Sequence, residues 1–395
     1  MSTATRKPRG RAGVFLTICV FSFLVNFGRI AFAPLVDYFI ESGIDPATAG
    51  LAATAVWVGS ALLRLPTGYL LTLVRRHRVL LGMGLFLSAA AAFTALSPGI
   101  AVTVAGAFLV GLASGVFFIA ANPLVSELYP ERVGFAVGVR GMSSQIAAVV
   151  APTLVVVAIG LGSWRIAFGA LAGLSLIGTG AFALAVRRAD LPEAGIEDRD
   201  LLGAIRAQWR LIAAGILFVG LTGFVWQGVF NFYVTAVSAK GIASGTANTL
   251  LTVTFAAGVP SFLVAGRLAD RFSYLPLLLA ILGGFATCLL AFTLVSSVAG
   301  VAAVSVAMGL VIHGLFPVGD AYLLETLPDE NRASAYSGFS ATMMLIQAPG
   351  SVAVGVLAGA GLSYATVFQA YAVLVAVIAV ALAALAKAGR LPAGG

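Results

Sequence analysis

Charge is what this sequence has least of. Asp, Glu, Lys and Arg make up 10% of its 395 residues, against about a quarter in a soluble domain, so a water-exposed globule of this size is excluded. Cysteine is nearly absent. Cys19 and Cys288 both sit inside apolar runs, which excludes a disulfide framework and a cysteine-rich metal site. No zincin, nucleophile-elbow, phosphate-loop or paired-carboxylate pattern occurs, so neither enzyme chemistry nor a cofactor is expected. Gly-spaced runs such as Gly82-Met83-Gly84-Leu85-Phe86 follow no strand and read as helix-packing positions, not dinucleotide fingerprints.

What is present in excess is apolar length. Hydrophobic residues reach 60% and mean hydropathy is +1.05. Runs longer than about 18 residues recur, each able to cross ~30 Å of hydrocarbon as a helix. Barrel strands would be about half as long and would alternate every second residue. The pattern predicts an all-α membrane protein with spans at roughly 13–38, 48–73, 79–97, 100–124, 134–160 and 164–186. A second six follow at roughly 210–237, 246–269, 275–296, 299–323, 333–359 and 363–386. The first run is too long for a secretory leader ending at Ala31-Phe32-Ala33, and it holds Asn26 and Arg29. The organisation is then a six-helix half over 1–186 with a basic tail over 1–12, a polar cytoplasmic linker over 187–209, and a second half over 210–395.

The net charge of +8 raises the question of nucleic acid, and its distribution answers it. Starting inside, the inner connections and tails hold Arg6, Lys7, Arg9, Arg11, Arg75, Arg76, Arg78, Arg132, Arg187, Arg188, Arg199 and Arg206. They also hold Arg210, Arg267, Arg271, Arg332, Lys387 and Arg390, while the outer connections hold only Arg165 and Lys240. That asymmetry places both termini in the cytoplasm of a cell-membrane protein. Its expected partners are the bilayer and a small-molecule substrate, not nucleic acid, and a functional monomer is expected.

The halves repeat. Gly43-Ile44 and Thr48-Ala49 recur 198 positions later as Gly241-Ile242 and Thr246-Ala247, and Glu127 and Pro130 recur as Glu325 and Pro328. A two-residue insertion then gives Arg132 with Arg332 and Gly138 with Gly338. Within this repeat, Gly266 is followed after an apolar run by Arg267, Asp270 and Arg271. Its twin Gly68 is followed by Thr72 in the acid's place and then by Arg75, Arg76 and Arg78. The loop at Gly266 resembles the signature loop of the major facilitator superfamily. The resemblance implies two six-helix bundles related by a pseudo-two-fold axis, alternating-access transport, and a site between the halves lined by helices one, four, seven and ten. It also implies that Gly68, Gly266, Arg267, Asp270, Arg271, Glu127, Arg140 and Glu325 form a cytoplasmic gate network, with Arg140 close to Glu127 and Glu131.

An ion inside the bilayer costs at least ~2.5–3.5 kcal/mol, so each one needs a partner or a wet cavity. Arg29, with Asn26 one turn earlier, precedes Ile30-Ala31-Phe32-Ala33, which is similar to the anion-binding first helix of organophosphate:phosphate antiporters. Their second arginine, on the seventh helix, is replaced here by Gln227. Asp37 is the acid nearest in sequence that would neutralise Arg29. Arg64 resembles the anion-binding arginine of nitrate/nitrite porters, but its mate is Phe262 and the fifth helix, Gly141 to Pro152, lacks their glycines. The missing glycines before Pro152 also weaken a likeness to drug:proton antiporters. Asn122, Gln145, Gln227, Asn231 and Gln347 are neutral groups that read either as substrate contacts or as interhelical links. His313 and Asp320, seven apart on the tenth helix, are the candidates for proton coupling; for His313 the competing reading is a packed, hydrogen-bonded side chain. The leading reading is a secondary transporter of a small organic or inorganic anion, with proton-coupled efflux of hydrophobic compounds second. A non-transporting membrane receptor is the alternative of another class.

Overall fold

The computed structural model describes residues 10–44, 46–191, 201–329, 332–347, 349–389 and 391. The basic tail through Arg9, linker residues 192–200 with Arg199, Arg390, and the side chain of Asp37 lie outside what is described. Every regular element among the described residues is helical. In chain order these are α1 (Arg11–Ile30), α2 (Ala33–Glu41), α3 (Pro46–Leu62), α4 (Arg64–Leu70), α5 (Arg76–Ala95) and α6 (Ile100–Leu128). Next come α7 (Val133–Gly160), α8 (Arg165–Arg187), α9 (Leu201–Ala207), α10 (Trp209–Gly215), a π-turn (Ile216–Gly220) and α11 (Leu221–Ser238). Then follow α12 (Ser244–Ala269), α13 (Tyr274–Leu294), α14 (Val298–His313), α15 (Leu315–Thr326), α16 (Arg332–Gln347), α17 (Gly350–Gly359) and α18 (Tyr364–Lys387).

Among the described residues ten helical stretches are long and apolar enough to cross a membrane. They fall on ten of the twelve expected spans. The second and eleventh are the two not among them. Pro66 has no N–H to offer the carbonyl of Leu62, so the helix breaks at Leu63, between α3 and α4. Pro349 is the cap residue at the start of α17. The expected linker also contains a helix, α9. Apolar side chains such as Leu16, Ile177 and Val380 are 65–70% exposed. Water would penalise such faces, whereas lipid tails solvate them.

The chain divides into two compact units. The first comprises Met1–Glu131, Ile146–Leu201 and Asp329–Ser334; the second comprises Arg132–Gln145, Leu202–Pro328 and Ala335–Gly395. Each contains the same helix crossing. In the first, a Cβ on Gly111 of α6 would overlap the carbonyl of Val56 on α3. In the second, a Cβ on Gly309 of α14 would overlap the carbonyl of Thr254 on α12. Val56 and Thr254, like Gly111 and Gly309, are 198 positions apart, so the repeat is structural as well as sequential. Only a residue without a side chain lets these backbones meet.

Arg165 and Lys240, the two exceptions to the basic asymmetry, both cap a helix end. Arg165 Nη2 donates to the carbonyl of Ser97 at 2.7 Å, and Lys240 Nζ donates to the carbonyl of Val295 at 2.9 Å. These carbonyls follow α5 and α13 at equivalent positions of the repeat, where the helix dipole favours a cation. Partial burial of the Lys240 ammonium pulls its pKa below the usual lysine value.

Candidate functional site

In the first unit, α1, α3, α4 and α6 bring Arg29 and Arg64 to one aromatic ring. The Arg29 guanidinium carbon lies 4.1 Å from the centre of the Trp57 ring and 5.3 Å from that of Phe118. The Arg64 guanidinium carbon lies 5.8 Å from the same Phe118 ring. Arg64 is 6% exposed, Asn26 is buried one turn before Arg29, and Asn122 is buried one turn after Phe118. Among the described residues no carboxylate lies within 4 Å of Arg29. Its Nε is buried without a hydrogen-bond partner.

The magnitudes set what this arrangement can do. Cation–π contact is worth about 0.5–2 kcal/mol, which offsets only part of the cost of a charge at membrane depth. Ring contact leaves the N–H donors of Arg29 without a carboxylate among the described residues. Two guanidiniums over one ring suit an oxyanion, which accepts two N–H bonds from one guanidinium at once.

In the second unit the equivalent positions hold different chemistry. Phe262 replaces Arg64 and stacks on Phe316, the twin of Phe118, at 6.4 Å and 6°. Gln227 replaces Arg29, and its carbonyl accepts a 3.0 Å bond from Asn231 Nδ2. Gln347 Nε2 donates at 3.4 Å to the carbonyl of Val219, which lies in the π-turn, where the regular i to i−4 ladder is interrupted. His313 occupies the position of Gly115, and Gly258 beneath it occupies the position of Ser60; a Cβ on Gly258 would strike the imidazole. His313 Nδ1 bonds the carbonyl of Gly309 at 2.8 Å, and Gln145 Nε2 lies 3.2 Å from His313 Nε2. Trp226 and Phe255 meet the ring edge-on.

Asp320, the twin of Asn122, accepts a 2.9 Å bond from the Tyr336 hydroxyl, and its other oxygen lies 3.9 Å from Arg140 Nη2. Arg140 is thus paired with Asp320. Glu127 is paired with Arg76, 2.6 Å away, with both side chains buried. Glu131 is paired with Arg11 at 2.6 Å. The twin of the Arg76–Glu127 pair is a hydrogen bond between Tyr274 and the exposed Glu325.

The signature loop itself is a cap. Asp270 Oδ2 accepts the Phe135 N–H at 2.9 Å, in the first turn of α7, where orphan donors and the helix dipole favour an anion. Burial pushes the Asp270 carboxyl up, against the pull of bonds from the Phe135 and Gly134 amides. Gly266 packs against the backbone of Gly134, and Arg267 lies over the Phe135 ring at 5.4 Å. Arg271 is exposed. In the first unit Gly68 is buried, and Thr72 bonds the carbonyl of Tyr69 in its own turn.

Sequence reasoning missed Trp57, Phe118, Arg76 and Tyr336. The repeat contained a signal for the first two, since their twins Phe255 and Phe316 are also aromatic. Arg76 was hidden in a basic cluster that read as topology alone.

Residues 18–243, and again 215–393, match the family model described as Major Facilitator Superfamily. The solved structure of the proton:xylose symporter XylE, bound to 6-bromo-6-deoxy-D-glucose, is similar with a TM-score of 0.74. The match covers 94% of each chain at 13% identity. The fucose:proton symporter FucP of E. coli is similar at 0.70, with 17% identity over 95% of this chain and 99% of that one. FucP in an outward conformation gives 0.71 at 15% identity over the same shares. No curated protein matches the chain with significant sequence similarity.

Proposed function

Because the chain belongs to the major facilitator superfamily, we propose that it moves a small anion by alternating access, with Arg29 and Arg64 as the anion-binding groups. That it is an integral membrane transporter and not an enzyme follows from the family. The anion rests on one observation. Arg29 has aromatic faces around it and no carboxylate beside it among the described residues, while a second guanidinium shares its Phe118 ring. A structural arginine at this depth would be paired with an acid, as Arg76 and Arg140 are. XylE and FucP carry sugars with protons, but at 13–17% identity they lend the fold alone.

Asn26 and Asn122 complete the anion site in this reading, and helices one, four, seven and ten of the family fold line the path. Gln227, Asn231 and Gln347 are the polar groups of the second half assigned to substrate contact. Asp320, held by Arg140 and Tyr336, is the proton-coupling group: protonation would release Arg140 from it. The Asp270 cap with Gly266, and the Arg76–Glu127 pair, stabilise the cytoplasmic ends. The protein works as a monomer in the cell membrane with both termini inside, as the basic residues dictate.

Flux into proteoliposomes tests this. Uptake of labelled carboxylates and phosphates should be saturable in the wild type and lost in Arg29→Gln. A pH gradient should drive it in the wild type but not in Asp320→Asn. If Arg29→Gln transports every anion as the wild type does, the anion reading is wrong.

A further inference from the structure

The hydrogen bonds around His313 can be assigned without choosing among tautomers. The carbonyl of Gly309 only accepts, so His313 Nδ1, 2.8 Å away, carries the proton. The carbonyl of Phe255 likewise only accepts, so the Gln145 atom 3.0 Å from it must be the amide nitrogen, whichever way round the amide would otherwise be drawn. That nitrogen also lies 3.2 Å from His313 Nε2. With Nδ1 protonated, a neutral ring presents Nε2 as an acceptor, and the second amide hydrogen goes there. The network is closed. Both donors of Gln145 are consumed and its orientation is fixed.

What remains is Gln145 Oε1. The side chain is 8% exposed, yet Oε1 is not among the buried atoms lacking a partner, and no donor meets it among the described residues. It is therefore an accessible acceptor on an otherwise buried side chain. The repeat shows that this arrangement is a departure. Gly115 and Ser60 stand where the second unit has His313 and Gly258, and the twin of Gln145, Leu345, lies on the exposed face of α16. A bulky ring has been placed at a crossing that in the first unit needs glycine, with a serine-to-glycine exchange making the room.

We propose that Gln145 Oε1 is an acceptor-only subsite for a hydroxyl group of the transported solute, and that His313 is the residue that positions it. The inference rests on the transport reading above. It narrows the substrate to solutes that carry a hydroxyl donor. An acceptor with no donor beside it discriminates by hydroxyl count. A solute lacking the hydroxyl leaves Oε1 desolvated and unpaired.

The test is a ratio of affinities from thermal shifts of the detergent-purified full chain, using matched probes. Glycerol 3-phosphate is compared with propyl phosphate, gluconate with hexanoate, and mannitol with hexanediol. The wild type should prefer the hydroxylated member of at least one pair by about three- to tenfold. Gln145→Leu should bring that ratio to one. His313→Phe, which keeps the ring volume but has no acceptor, should lower it, and His313→Gln, whose carbonyl accepts the same amide hydrogen, should retain it. The exchange His313→Gly with Gly258→Ser, which restores the packing of the first unit, should lower it in a protein that still folds. No preference in any wild-type pair, or a preference that survives in Gln145→Leu, overturns the proposal. A preference confined to mannitol would leave the subsite standing and remove the anion reading, so the two fail separately.

Discussion

The two compact units carry one helix crossing and two chemistries. At positions 198 apart, Arg29, Arg64 and Asn122 in the first unit correspond to Gln227, Phe262 and Asp320 in the second. The aromatic residues that frame them, Trp57 and Phe118 against Phe255 and Phe316, are kept as aromatic in both. A guanidinium over Phe118 in one unit has become a phenyl ring over Phe316 in the other. The scaffold of close glycine contacts was retained while the polar groups diverged. At these positions one unit carries two guanidiniums and the other an amide, a phenyl ring and a carboxylate.

The largest test of that comparison concerns the paired glutamates. Glu127→Ala leaves Arg76 buried without its partner and should cost about 3–5 kcal/mol of stability. Glu325→Ala removes an exposed group and should cost less than about 1 kcal/mol. Melting of the two purified variants in one detergent measures the difference, and equal losses would mean that burial does not separate the twins. A smaller effect tests the likeness instead of the difference. Gly111→Ala and Gly309→Ala each push a methyl group into a backbone carbonyl and should each cost about 1–3 kcal/mol. Similar losses support equivalent crossings, whereas tolerance at one position would show that it has slack the other lacks.

Much of the fold was legible in the sequence because lipid makes length and apolarity decisive. The twelve runs stood out, and the repeat of Gly43-Ile44 and Glu127 exposed the duplication. The break at Leu63 was less visible. Pro66 lies inside an apolar run whose hydropathy does not fall. Of the candidate site, single charges such as Arg29, Arg64 and Asp320 were conspicuous because bilayers tolerate so few. Their partners were not. The contact of Arg140 with Asp320 joins residues 180 positions apart, which a sequence without pairing information does not reveal. Nothing in the sequence marks Phe118 as the ring that two guanidiniums share. The reading of His313 turned on an acceptor at Gly309 and a donor at Gln145, neither of which composition reveals.

The central claim is that the arginines of the first unit bind an anion. Binding of a carboxylate and phosphate panel to the purified protein, followed by the part of the tryptophan fluorescence that is lost in Trp57→Phe, tests it most directly. The account predicts that at least one anion quenches the signal saturably. It also predicts an affinity about 10- to 100-fold lower in Arg29→Gln, the loss expected for charge-assisted hydrogen bonds, and a much smaller change in Gln227→Leu. Equal affinity in Arg29→Gln and the wild type, or saturable binding of neutral solutes alone, would contradict it.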